Sequence, residues 1–144
     1  QMNYRKKITG RKVVYSGFND SIGYYGAISE QQKETAENWL NQFDLFEIAE
    51  NSFLNMSYGQ QRLFLLARAM VKSPEILLLD EPCQGLDPYQ RSELINKINL
   101  LGKSKTTQIL YISHQVEDKL DCIGATIFLP DGRIERNLSA FRKF

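Results

Sequence analysis

Two adjacent carboxylates, Asp80 and Glu81, end the short apolar run Ile76-Leu77-Leu78-Leu79. Such a run reads as a strand of a parallel sheet, buried on both faces. The space just beyond a strand's carboxyl end is where open α/β sheets bind ligands. Successive side chains alternate along a strand, so the two acids can hold different jobs. One can hold a magnesium ion through water while the other takes a proton from an attacking water; the pair would also suit a plain loop or helix cap. Upstream, Ser57 and Gln60 have the spacing of a capping box. With Gly59 they open a helix whose unpaired N–H groups form an anion site, although Ser57 could equally be a cap and nothing more. Downstream, Asp87-Pro88 is a helix start, and the chain's one histidine, His114, follows a second apolar run.

These residues need elements to hold them. Ser29 and Gln32 form another capping-box spacing, and Ala36, Trp39, Leu40 and Phe43 follow on one helical face. After Ser57, the residues Leu63, Leu66, Ala67 and Met70 recur at i, i+3, i+4 and i+7, and Pro74 closes that helix. Asp87 can cap and Pro88 fits the first helical position. Leu94, Ile95, Ile98 and Leu101 continue the helix, with Gly102 as its stop. Gln108 to Ile112 reads as a second strand, joined to the first by a right-handed crossover in a parallel sheet. A short polar helix is expected from about Val116, and a hairpin from Ala125 to Arg136. Between Tyr4 and Ala27 the pattern is irregular, with Gly10 and Gly17 among its breaks. The first half is mainly helical and the second α/β.

Composition narrows the class without choosing the chemistry. The chain has 144 residues, 42% hydrophobic and 24% charged, which suits one ordinary globular domain rather than a disordered or fibrous chain. Eighteen basic against seventeen acidic residues give a net charge of +1, so bulk charge draws it to neither nucleic acid nor anionic membrane. Its basic start, Arg5, Lys6, Lys7, Arg11 and Lys12, reads as solvated surface rather than a nucleic-acid arm. No apolar stretch follows Lys7 as a signal peptide requires, and none approaches the ~20 residues of a membrane span. Cys83 and Cys122 do not make a disulfide scaffold; Cys83 reads as a packed thiol. The expected location is cytoplasmic, or peripheral at the inner membrane.

The order of these motifs resembles the nucleotide-binding domain of ABC ATPases, over roughly residues 29–136. Met56-Ser57-Tyr58-Gly59-Gln60 is similar to the family's signature motif, with Tyr58 where the first signature glycine usually stands. Residues 76–81 resemble the Walker B strand with its glutamate, Gly85-Leu86-Asp87 the D-loop, and His114 the switch histidine. Cys83 stands where the family more often has a small polar residue. The resemblance implies ATP and Mg2+ as ligands and an ATPase activity. Glu81 is then the catalytic base, Asp80 the magnesium ligand, and His114 the residue that meets the γ-phosphate and orients water. Ser57, Tyr58, Gly59, Gln60 and Asp87 contact nucleotide held by a facing cassette, in the same chain or a dimer. A membrane permease is a further implied partner; direct nucleic-acid binding is not expected.

A phosphate loop, G-x-x-x-x-G-K-[ST], does not occur in the sequence. Gly102-Lys103-Ser104 has Lys97 where the earlier glycine belongs and follows a helix, not a strand. In the family that loop precedes the helical subdomain, so it is expected upstream of Gln1 and no complete nucleotide site is expected here. The implied fold is α/β: the C-terminal part of a P-loop, RecA-like core with a parallel sheet, plus a helical subdomain. Residues 1–73 are expected to form the helical subdomain with the signature helix, and 74–144 the core part. Ser57 to Arg62, Asp80 to Pro88 and Ser113-His114 with Glu117-Asp118 resemble one subgroup, the bacterial tandem-cassette molybdenum-transport ATP-binding proteins. The other function these motifs allow is a non-transport ABC ATPase in DNA repair or translation.

Overall fold

The computed structural model describes residues 8–19, 27–115, 118 and 120–125. Both capping boxes form. The Ser29 hydroxyl accepts from the Gln32 N–H and the Gln32 side chain accepts from the Ser29 N–H, which opens a helix over Glu30–Gln42. Ser57 and Gln60 do the same for Tyr58–Met70. Along the first of these helices Ala36 and Leu40 are buried, with Phe43 buried at its end; along the second so are Leu63, Phe64, Leu66, Ala67 and Met70. These residues are the centre of one hydrophobic core that also takes in Leu77, Leu94, Ile98 and Leu101.

The irregular reading near the N-terminus is corrected. A helix, α1, covers Gly10–Tyr15 and runs into a 3-10 turn at Ser16–Asn19. Thr9 caps it through its side chain. Its first donors are met from a distant segment, Gly10 N–H by the Asn51 carbonyl (3.2 Å) and Arg11 N–H by that of Ala49 (2.8 Å). A sequence window cannot show that tertiary capping. Gly17 marks a close approach: a Cβ there would lie 2.4 Å from the Arg68 carbonyl oxygen, a backbone atom that cannot yield. Arg11, read as solvated, is instead tied to Glu37 and Glu50.

With α1 numbered first, the two capped helices are α2 (Glu30–Gln42) and α3 (Tyr58–Met70), followed by β1 (Ile76–Asp80), α4 (Pro88–Lys103) and β2 (Gln108–Ile112). The Asp87 carboxylate accepts from the Gln90 N–H (2.9 Å) to cap α4, with Pro88 at its first position. Gly102 lies inside the last turn, and Ser104 ends the helix. β1 and β2 pair in parallel, in the register Ile76 with Gln108 and Asp80 with Ile112. The sheet turns Leu77, Leu79, Ile109 and Tyr111 to the core. Its other face is open: Ile76, Leu78, Leu110 and Ile112 are 65, 58, 55 and 45% exposed. Burial of β1 on both faces is therefore not observed. An unbroken apolar run does not say which face its own chain will cover, and here the helical core packs on one side. Of the polar helix expected from Val116, residues 116, 117 and 119 lie outside the described residues, while Asp118 and residues 120–124 are described and are not helical, which corrects that expectation. The hairpin over 125–136 lies outside the described residues, Ala125 apart.

Candidate active site

The parallel register sets the site. Because Asp80 pairs with Ile112, the residues one and two steps beyond β2 emerge beside Glu81. The Glu81 N–H donates to the Ile112 carbonyl (2.9 Å), which extends the pairing one residue past β1. Glu81 then turns the chain at φ 47°, a left-handed conformation that non-glycine residues adopt at a cost of about 1–3 kcal/mol. That turn brings its carboxylate to His114. Glu81 Oε1 accepts the His114 backbone N–H at 2.9 Å and lies 2.6 Å from His114 Nδ1. The backbone N–H, and the ring when its proton is on Nδ1, converge on one oxygen, which leaves Oε2 for another proton.

Asp80 ends β1 as an exposed carboxylate. Among the described residues no group of three or more His, Cys, Asp or Glu side chains could hold a metal alone. A single exposed carboxylate is nonetheless the donor set that suits magnesium carried on a nucleotide, since that ion keeps several waters and takes the rest of its shell from phosphate. Asp80 fits such a role and fits no closed metal site.

At the tip of α3, Ser57 and Tyr58 are exposed and Gly59 is buried. A Cβ on Gly59 would lie 2.8 to 3.0 Å from the Gln90 side chain, so this tip abuts the first turn of α4, next to Asp87. The capping box occupies the Gln60 N–H; the N–H groups of Tyr58 and Gly59, at the first two helical positions, have no partner within the helix. The predicted site residues thus fall into two groups: Glu81 with His114 beside Asp80, and Ser57 to Gln60 beside Asp87. Among the described residues no hydrogen bond joins one group to the other.

Sequence reading gave no structural role to a set of residues behind His114. The Asp118 side chain is only 2% exposed, and its Oδ2 accepts from Tyr111 Oη and Ser113 Oγ, both at 2.8 Å. Tyr111 Oη also contacts the Cys83 sulfur at 3.3 Å. Burial pushes the hydroxyl of Tyr111 well above the ordinary tyrosine range, with Cys83 and Asp118 adding to it. Burial likewise raises the Cys83 thiol. Tyr111 and Ser113 stand two residues apart and so face the same way, which is the one signal in the sequence that could have paired them.

A parallel strand pair with a left-handed glutamate at its mouth, a histidine delivered to it by the next strand, and a capped helix tip define the ATP-binding-cassette class. Residues 2–84, more than half of the chain, match the family described as ABC transporter, and the chain belongs to that family. It is 42% identical over 137 residues to the ABC transporter ATP-binding protein ModF of Escherichia coli K12, spanning 94% of this chain and 28% of that protein. A probable metal transport system ATP-binding protein of Chlamydia trachomatis is 34% identical over 85% of this chain and 51% of its own length. The chain therefore spans about half or less of the relatives it matches. Among solved structures, the ADP conformation of MJ1267, an ATP-binding cassette of an ABC transporter, superposes with a TM-score of 0.79. It covers 90% of this chain and 54% of that one at 22% identity, which speaks for the fold alone.

Proposed function

We propose that this chain supplies the water-activating edge and the signature tip of an ABC-type ATPase, within a cassette that binds and hydrolyses ATP. The observation that carries the reading is the Glu81–His114 contact: a carboxylate held by two donors at the mouth of a parallel strand pair. Glu81 takes a proton from the attacking water on its remaining oxygen. His114 fixes that carboxylate through its backbone N–H and a protonated Nδ1, and as the imidazolium its Nε2–H is left to donate to the γ-phosphate. Asp80 would hold the nucleotide's magnesium ion through water, and the ion supplies charge neutralisation at the phosphates.

Cassettes of this family work as dimers. In this reading the N–H groups at the tip of α3, with Ser57, Tyr58, Gly59, Gln60 and Asp87, receive the γ-phosphate of ATP held by a facing cassette. Residues 1–73 form the helical subdomain and 74–144 part of the α/β core, a division supported by helices before Ser73 and alternating strand and helix after it. The likeness to ModF supports a molybdate-transport type. No described helix is long and apolar enough to cross a membrane; a membrane permease is the partner that a transport role would add.

The test uses the full-length cassette that carries this chain. Glu81→Gln keeps the shape and cannot take the proton, so ATP should bind with parental affinity while kcat falls ~10²–10⁴-fold. Hydrolysis at the parental rate would remove Glu81 from the role of general base.

A further inference from the structure

His114 is exposed, yet its backbone and ring both converge on one oxygen of Glu81. Something must hold the turn that presents it. Ser113 Oγ accepts from the Gln115 N–H at 3.0 Å and donates to Asp118 Oδ2 at 2.8 Å, so one hydroxyl closes the turn around His114 and anchors it. The Asp118 N–H also donates to the Gln115 carbonyl at 3.4 Å. Asp118 is buried, and a buried carboxylate is costly unless paired. Its Oδ2 is met by Tyr111 and Ser113; its Oδ1 makes no hydrogen bond and lies 3.6 Å from Arg91 Nε on α4. That same helix begins at Asp87 and leans its first turn on Gly59. The carboxylate is therefore a peg: one oxygen holds the histidine turn, and the other faces the helix that abuts the signature tip.

We propose that Asp118 is a positioning residue for His114, acting through Ser113 to hold the histidine against Glu81 and tying that turn to α4 through Arg91. Its meaning for catalysis rests on the hydrolytic reading above; its geometry can be tested without nucleotide.

The experiment measures backbone amide exchange by NMR on the full-length cassette that carries this chain. His114 is the reporter, because its N–H is held by Glu81, and the amides of α3 serve as an internal reference for global opening. Three variants are compared: Asp118→Ala, Ser113→Ala and the double. Each single change should speed His114 exchange about tenfold, the size of one hydrogen bond, with α3 amides within about twofold of the parent. The double should exchange no faster than the worse single, since both cut one path. Ser113→Ala leaves the Asp118–Arg91 pair intact, so it decides the matter if Asp118→Ala fails to fold. Unchanged His114 exchange in Ser113→Ala, equal acceleration across α3, or effects that multiply in the double would each overturn the proposal. Should Glu81→Gln hydrolyse ATP normally while exchange behaves as stated, the hydrolytic reading falls and the positioning stands.

Discussion

Glu81 combines a strained backbone with a side chain held by two donors, and neither feature arises from local preference. At φ 47° the residue is disfavoured by about 1–3 kcal/mol, and the extended pairing to Ile112, the Gln84 N–H on its carbonyl and the grip of His114 hold it there. The acidic pair was legible as a strand end, but the left-handed turn was not, since nothing in Asp80-Glu81-Pro82 demands it. Cys83, two residues on, illustrates the opposite case. It reads as a packed thiol and is one, 1% exposed and beneath the Tyr111 hydroxyl. Burial raises its pKa, so at mildly alkaline pH the native thiol is held protonated where an ordinary one has begun to ionise, and the thiolate is the reactive form. Iodoacetamide at pH 8 should therefore leave Cys83 unmodified in the native chain over a time that labels it fully in denaturant, as read by peptide mass spectrometry. Rapid labelling of the native chain would mean that the loop after β1 opens.

At the scale of elements, the capped helices were the most legible part. Ser29 with Gln32 and Ser57 with Gln60 satisfy helix-end donors reciprocally, a local chemistry that spacing reveals directly. The short helix α1 escaped because carbonyls near residue 50 meet its first donors. The meeting of Glu81 with His114 followed from parallel register, which the two apolar runs suggested without fixing. The α3 tip carries a prediction at this scale. If the tip receives a phosphate as proposed, Gly59→Asp places a negative charge where a polyanion docks, and like charges juxtaposed there cost several kcal/mol. In the full-length cassette, ATP affinity at the cassette carrying the change should stay near the parent's while cooperative hydrolysis is lost. Gly59→Ala adds the same Cβ, 2.8 to 3.0 Å from the Gln90 side chain, without the charge, so hydrolysis lost in Gly59→Asp beyond that lost in Gly59→Ala is the part due to charge. A nucleotide titration beside an ATPase assay decides it. Equal loss of affinity and turnover in Gly59→Asp would mean that the tip contacts its own nucleotide.

For the whole molecule, motif order carried the family and the fold class, while the packing of the sheet did not follow from the strand sequences. Leu77 and Leu79 face a helical core and Ile76 and Leu78 face outward, although all four are equally apolar. Their roles are set by what each face meets, which lies outside any single segment. The Asp118 anchor was equally hidden, because it joins β2, the turn after it and α4. On the proposed reading the assembled chain offers one unit built across two strands, a base and the histidine that aims it. Residues acting as a unit are strongly non-additive when removed together. The direct measurement is a kinetic cycle in the full-length cassette: parent, Glu81→Gln, His114→Ala and the double, compared by kcat for ATP hydrolysis. Each single change should cost ~10²–10⁴-fold, and the double should fall within about tenfold of the worse single. Losses that multiply in the double would contradict a joint role and leave Glu81 and His114 as neighbours that act apart.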